Sequence, residues 1–193
     1  ILPGSRKTEV SKLLPVFLES AGQLLKQDQN LYFVIPTVRT VAKMVKDLTK
    51  DCGLPLQIVE TQDDRYDAFQ ASNAAIAASG TVALELAICH IPHLITYRVS
   101  KLTAWIASRF LKIQFVNLTN IMLGRLVVPE LLQEQCTAGN ISRTIQELLK
   151  KGELYEREQE GFARVKEILS NGEQTPSQNA ADFILELVSR RDK

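Results

Sequence analysis

Histidine is nearly absent, with two residues in 193, and cysteine is sparse, with three. Cys52, Cys89 and Cys136 lie far apart and form no C-x-x-C pair, so they read as free cytosolic thiols packed as small apolar residues. His90 and His93 have no companion at metal-ligand spacing and read as structural. No apolar run approaches the roughly 18–20 residues of a membrane span. The first residues lack the basic start and apolar stretch of a signal peptide. Without such a leader, the triplets Asn117-Leu118-Thr119 and Asn140-Ile141-Ser142 read as chance matches to the glycosylation pattern. There is also no initiator Met, and Ile1-Leu2 reads as the end of a strand; the expectation is a piece of a longer chain. Neither G-x-G-x-x-G nor G-x-x-x-x-G-K-[ST] occurs, which speaks against dinucleotide binding of the common type and against P-loop hydrolysis.

What is present is an ordinary soluble mixture, 45% apolar and 23% charged, long enough for one domain with its own core. The net charge of +1 gives no nucleic-acid signature. It conceals an uneven distribution. Between Leu86 and Pro129 there is no Asp or Glu, yet Arg98, Lys101, Arg109, Lys112 and Arg125 fall there. Such a block suits an anionic ligand or an anionic membrane surface, and equally a solvated helix face. Within it, Trp105 to Lys112 is apolar and basic, suited either to a membrane interface or to core packing.

Helices and strands alternate. Val10, Leu13, Leu14, Phe17, Ala21, Leu24 and Leu25 recur at helical spacing and predict a helix over 6–27. Residues 31–36 predict a strand buried on both faces, and residues 38–52 a second helix closed by Gly53. Strands follow at 56–59, 74–78 and 92–97, with helices at 64–72, 82–89 and 100–111. Residues 129–193 read as a mostly helical tail with a loose segment at 171–179. The alternation predicts an α/β fold of Rossmann-like type, a parallel sheet between two helical layers.

Ligands in such sheets bind in the loops beyond the carboxyl ends of the strands. Three loops there can carry chemistry. In the first, Gly4 permits a tight turn, Ser5 can cap the next helix, and Arg6 adds positive charge to the free N–H groups of that helix start. In the second, Ser79, Gly80 and Thr81 open a helix within an alanine-rich stretch that lets a ligand approach the backbone, and Glu85 lies one turn on. A carboxylate there can accept two hydrogen bonds from a ribose diol, or simply complement the helix dipole. In the third, Asn120 offers an amide and Arg125 a phosphate partner, ahead of Pro129 as the first residue of a helix, or the segment is an ordered connector.

The three loops in this order, L-P-G-S-R, then A-S-G-T-x-x-x-E, then N-x-x-x-G-R-x-x-x-P-E, with Tyr97-Arg98 between the second and third, resemble the lipid-A-disaccharide synthase family. The likeness runs from Leu2 to about Cys136, with Thr119 standing where the resemblance implies proline. It implies that residues 1–193 are the carboxyl-terminal, nucleotide-sugar half of a two-domain GT-B glycosyltransferase. Such an enzyme would move 2,3-diacylglucosamine from UDP onto 2,3-diacylglucosamine 1-phosphate, at the cytoplasmic face of a bacterial inner membrane. It would use no metal and no cofactor, and its homodimers would exchange carboxyl-terminal segments, here within 129–193. Carried onto this chain, Gly4, Ser5, Arg6, Ser79, Gly80 and Thr81 would sit at the diphosphate, Glu85 at the ribose, and Asn120 and Arg125 would complete the UDP site, either in the same subunit or from a partner. Arg6 and Arg125 would stabilise the leaving group, while the general base would lie in the other half. Two readings stay open beside it: another UDP-sugar enzyme of GT-B fold, such as a peptidoglycan glycosyltransferase or a 2-epimerase, and a non-catalytic α/β binding module.

Overall fold

The computed structural model describes residues 1–98, 114–170 and 176–191. The helix expected at 100–111, with the Trp105 stripe and three of the five cations of the basic block, lies outside them.

Among the described residues the sheet contains five strands, β1 (Phe33–Pro36), β2 (Leu56–Val59), β3 (Ala75–Ala78), β4 (His93–Tyr97) and β5 (Glu130–Leu132), all paired in parallel. β1 pairs with β2, and β3-β4-β5 form a second group. The two N-terminal residues bridge the groups. Ile1 N donates to Val34 O at 2.8 Å, Leu2 N donates to Ile76 O at 2.8 Å, and Ala78 N donates to Leu2 O at 2.8 Å. With the Ile1-Leu2 segment counted as the first strand, the spatial order is 3-2-1-4-5-6, the doubly wound order whose switch point lies between the first and fourth strands.

Helices cover both faces. α1 (Lys7–Leu25) and α2 (Arg39–Thr49) pack on one side together with α6 (Ala138–Leu149). α3 (Gln62–Ala71), α4 (Val82–Ile88), α5 (Leu118–Leu123) and α7 (Glu153–Ser170) form the other layer, and α8 (Pro176–Arg191) ends the described chain. β3 shows why both layers are required. Its four residues, Ala75-Ile76-Ala77-Ala78, are all buried, Ala75 and Ala77 facing the cluster of Leu86 and Phe162, Ile76 and Ala78 facing Leu13 and Phe17. A strand with no polar face has no solvent side. The fold is thus the expected α/β architecture with a helical carboxyl-terminal region.

The elements differ from the sequence reading mostly at their ends. α2 stops at Thr49, three residues before Cys52, and the chain turns through Gly53 at φ +66°. The larger correction is at Pro129. Residues 130–132 are not the start of a helix but the edge strand β5, and Ile95 N donates to Pro129 O at 2.9 Å. Three residues are too few to show strand alternation, and the proline that suits a helix start is equally at home at the first position of an edge strand.

Candidate functional site

A cleft of about 450 Å³ opens at the switch point, between the loop that follows Leu2 and the loop that follows β3. It gathers Gly4, Ser5, Arg6, Ser79, Gly80, Thr81 and Glu85, seven residues that the sequence singles out. Three further polar residues on its walls, Glu9, Thr37 and Arg65, carry no mark in the sequence. Thr37 is the first residue after β1, and Arg65 sits in the first turns of α3, after β2. The same rule that pointed to the other loops, binding beyond the carboxyl ends of strands, reaches these two as well.

Gly4 has φ +104°, a conformation open to glycine and costly for other residues. The turn delivers the chain into α1, where the carboxylate of Glu9 folds back. Its Oε2 accepts Ser5 N at 3.2 Å and Arg6 N at 3.3 Å, and its Oε1 accepts Arg6 Nη1 at 2.8 Å. Arg6, not Ser5, is therefore the N-cap position, and two of the backbone donors expected to be free are already engaged by an internal anion. The N–H groups of Lys7 and Thr8 remain, since the first turn of a helix has no carbonyl to offer them. The Arg6 side chain is largely exposed, hinged at its contact with Glu9.

On the opposite wall Ser79 N donates to Thr96 O at 2.9 Å, which ends β3 and releases the chain into Gly80 and Thr81. Thr81 precedes α4, without a capping bond from its side chain. Glu85 lies one turn along and meets Arg65, Nη2 to Oε2, at 3.0 Å. That contact is an ion pair without the alignment of a hydrogen bond, because Glu85 Oε2 and Arg65 Nε are both enclosed and both lack a hydrogen-bond partner. The guanidinium is braced by the rings of Tyr66 and Phe69, 5.1 and 5.9 Å from their centroids.

Asn120 and Arg125 do not line this cleft. Asn120 is fully buried in α5, and its amide is spent on the chain around it. Oδ1 accepts Val127 N and Val128 N at 2.8 and 2.9 Å, while Nδ2 donates to Val128 O and Glu130 Oε1, each at 2.8 Å. Glu130, the last residue of the third motif, also takes the N–H groups of Val116 and Asn117. The motif thus forms a clasp that holds α5 against the edge strand. Arg125 follows Gly124, the left-handed C-cap of α5, and is exposed. Asn117 is buried and caps α5 by accepting Thr119 N at 2.8 Å. Arg98 donates to the Cys136 carbonyl, tying the end of β4 to the segment before α6.

His93 is buried at the start of β4, stacked on Phe162 with centroids 5.2 Å apart, and its Nδ1 lies 2.8 Å from Ile91 O. Burial lowers its pKa to about 4. Among the described residues no cluster of His, Cys, Asp or Glu has the makings of a metal site, and no helix is long and apolar enough to cross a membrane.

Comparison with known proteins gives one family. A model described as lipid-A-disaccharide synthetase matches residues 1–184. The chain is 40% identical over 191 residues to a lipid-A-disaccharide synthase from Rhodospirillum centenum, covering 99% of this chain and 48% of that protein. It is 41% identical over 190 residues to the synthase from Paramagnetospirillum magneticum, covering 97% and 48%, and 36% identical over 190 residues to one from Rhodopseudomonas palustris, covering 98% and 48%. The chain therefore spans about half the length of the relatives it matches.

Proposed function

This chain belongs to the lipid-A-disaccharide synthetase family, and from that premise we propose that residues 1–193 are the nucleotide-sugar half of a glycosyltransferase. The reaction is transfer of 2,3-diacylglucosamine from its UDP derivative to 2,3-diacylglucosamine 1-phosphate, releasing UDP. The observation that carries this reading is the cleft at the switch point, where a 19-residue helix starts beside Arg6 and a carboxylate, Glu85, waits across the gap.

The chemistry asks for a site that stabilises the departing diphosphate. Without a metal, fixed positive charge and helix-start N–H groups must meet the charge that develops on it. The start of α1 supplies the N–H groups of Lys7 and Thr8, its partial positive charge being met in part by Glu9. Arg6 adds a full one by swinging from Glu9. Glu85 receives the ribose diol, and Ser79, Gly80 and Thr81 close the second wall. Arg125, exposed beyond the cleft, serves the leaving group of a neighbouring subunit, with Asn120 holding the loop that presents it. The general base and the acceptor belong to the half of the protein outside this chain.

Homodimerisation by exchange of carboxyl-terminal segments is part of the proposal. Phe183, Ile184, Leu185, Leu187 and Val188 of α8 are all exposed, an apolar surface that a second subunit would cover. The protein works at the cytoplasmic face of the inner membrane, where the acylated sugars reside.

Calorimetry with UDP, ADP and NAD tests the reading. Selective UDP binding that weakens in Arg6→Ala and Glu85→Ala supports it. A folded protein with no preference for UDP points to a non-catalytic module. Acyl-sugar transfer by the protein at its full natural length then separates this activity from that of other UDP-sugar enzymes; failure with the correct acceptor overturns the assignment.

A further inference from the structure

Buried polar groups are ordinarily paired. Among the described residues seven buried side-chain polar atoms have no hydrogen-bond partner, and three of them, Thr37 Oγ1, Arg65 Nε and Glu85 Oε2, belong to residues that line the cleft at the switch point. The other four are His93 Nε2, Glu158 Oε1, Asn117 Nδ2 and Thr119 Oγ1, none of them on its walls. Three of the seven thus fall on residues of the same cleft, each atom itself enclosed rather than open to it.

Arg65 is the least expected of the three. It sits on α3, a helix whose N-cap Thr61 accepts Asp64 N at 3.1 Å, so its backbone is fixed. Its guanidinium is braced by Tyr66 and Phe69 and ends 3.0 Å from Glu85 Oε2. A glutamate side chain left alone at a cleft mouth samples many rotamers, and a ligand that needs one of them must bear the ordering cost. A planar guanidinium held by its neighbours removes that freedom in advance.

We propose that Arg65 is a positioning residue for the donor nucleotide: its contact with Oε2 holds the Glu85 carboxylate in the orientation that a vicinal diol requires. The proposal rests on the reading of the cleft as a UDP site. The geometry fits, since the contact fixes the enclosed Oε2 while the Glu85 side chain remains 30% exposed on the wall of the cleft. Arg65 itself need not touch the sugar.

The test is equilibrium binding of UDP and 2′-deoxy-UDP by the protein at its full natural length. The wild type is expected to prefer UDP by roughly tenfold or more, as for hydrogen bonds to a charged group. Glu85→Gln should erase most of that preference. Arg65→Ala should weaken UDP by roughly three- to tenfold and 2′-deoxy-UDP, which keeps one of the two hydroxyls, by distinctly less, a split that loss of packing does not produce. Arg65→Lys should restore part of the preference, and Arg65→Ala should add little when Glu85→Gln is already present. Equal weakening of both nucleotides by Arg65→Ala, or full additivity of the two substitutions, overturns the proposal. A wild type that binds UDP and 2′-deoxy-UDP alike also overturns it, while leaving the cleft as the UDP site. A wild type that binds neither overturns the site assignment together with it. Thermal melts of each variant identify any that has lost its fold, and Arg65→Lys then carries the comparison.

Discussion

Gly4 lies directly beneath the side chain of Glu9. A Cβ on Gly4 would stand 2.4 Å from Glu9 Oε2 and 2.9 Å from Glu9 Cβ. The bonds from Glu9 to the Ser5 and Arg6 amides are possible only because nothing projects from position 4. Gly4→Ala is therefore doubly costly, in backbone strain at φ +104° and in collision with the carboxylate that orders the turn. It is expected to destabilise by about 2 kcal/mol, read by urea denaturation, and to weaken UDP binding. Adding Glu9→Ala should relieve the contact with the carboxylate but neither the 2.9 Å approach to the Cβ of residue 9 nor the strain at φ +104°; full recovery in the double variant would show that neither is costly.

Two other glycines give opposite expectations. Around Gly22, within α1, there is open space, so Gly22→Ala should stabilise by roughly 0.5–1 kcal/mol through reduced freedom of the unfolded chain. At Gly161 on α7 a Cβ would come within 2.4 Å of Val127 Cγ1 and 3.3 Å of Leu123 Cδ1. Gly161→Ala should destabilise by roughly 1–3 kcal/mol, with partial rescue by Val127→Ala. Melting temperatures of Gly22→Ala, Gly161→Ala and the Gly161→Ala/Val127→Ala double variant decide both cases.

Stability should respond to pH through two buried groups that touch. His93 N donates to Glu158 Oε2 at 2.9 Å. The His93 ring is held neutral, with its pKa lowered from 6.5 to about 4 by burial. Its contribution is complete above pH 6.5 and is lost as pH falls through about 4, a span of about 3 kcal/mol. Glu158 behaves oppositely. Burial raises its pKa well above 4.5, against the lowering effects of the His93 N–H and of Arg157. Its contribution is complete below 4.5 and fades as pH rises through the raised value. Denaturation between pH 4 and pH 8 should show His93→Phe flattening the acid side and Glu158→Gln flattening the other. Unchanged slopes in both variants would mean that other groups dominate.

Asn120→Ala should cost about 3 kcal/mol, because it strands Val127 N, Val128 N and Val128 O in a buried loop. For a chain of this size that corresponds to a drop in melting temperature of roughly 6–12 °C. Asn120→Asp should be no milder, since the new carboxylate faces Glu130 and cannot donate. A variant that keeps its melting temperature but loses UDP affinity would place Asn120 at the nucleotide after all.

Most of the fold is written in periodicity. The spacing of Val10, Leu13, Leu14 and Phe17 predicts α1, and the all-apolar run Phe33 to Pro36 predicts a strand covered on both faces. What escapes is information carried by partners far apart in the chain. β5 exists because Pro129 and Leu131 meet β4, and nothing within three residues announces it. At the cleft, motif spacing locates Gly4 and Ser79 to Thr81, because turns and caps are local. Arg65 carries no local mark. Its meeting with Glu85 joins positions 20 residues apart on two helices. Asn120 is the reverse case: an amide that reads as a ligand group is consumed by backbone seven and eight residues on.

Among the described residues, Ile1 and Leu2 alone make the backbone hydrogen bonds that stitch the β1-β2 pair to the β3-β4-β5 group. Mechanically the sheet is two panels joined along a short seam, and the cleft straddles that seam, with Gly4 to Arg6 hung from the stitch and Ser79 to Thr81 from one panel. A molecule gripping both loops acts as a rivet. Occupancy of the cleft and cohesion of the panels then become a single equilibrium, so the slowing of amide exchange at Leu2 and Ala78 measures how tightly the cleft is filled.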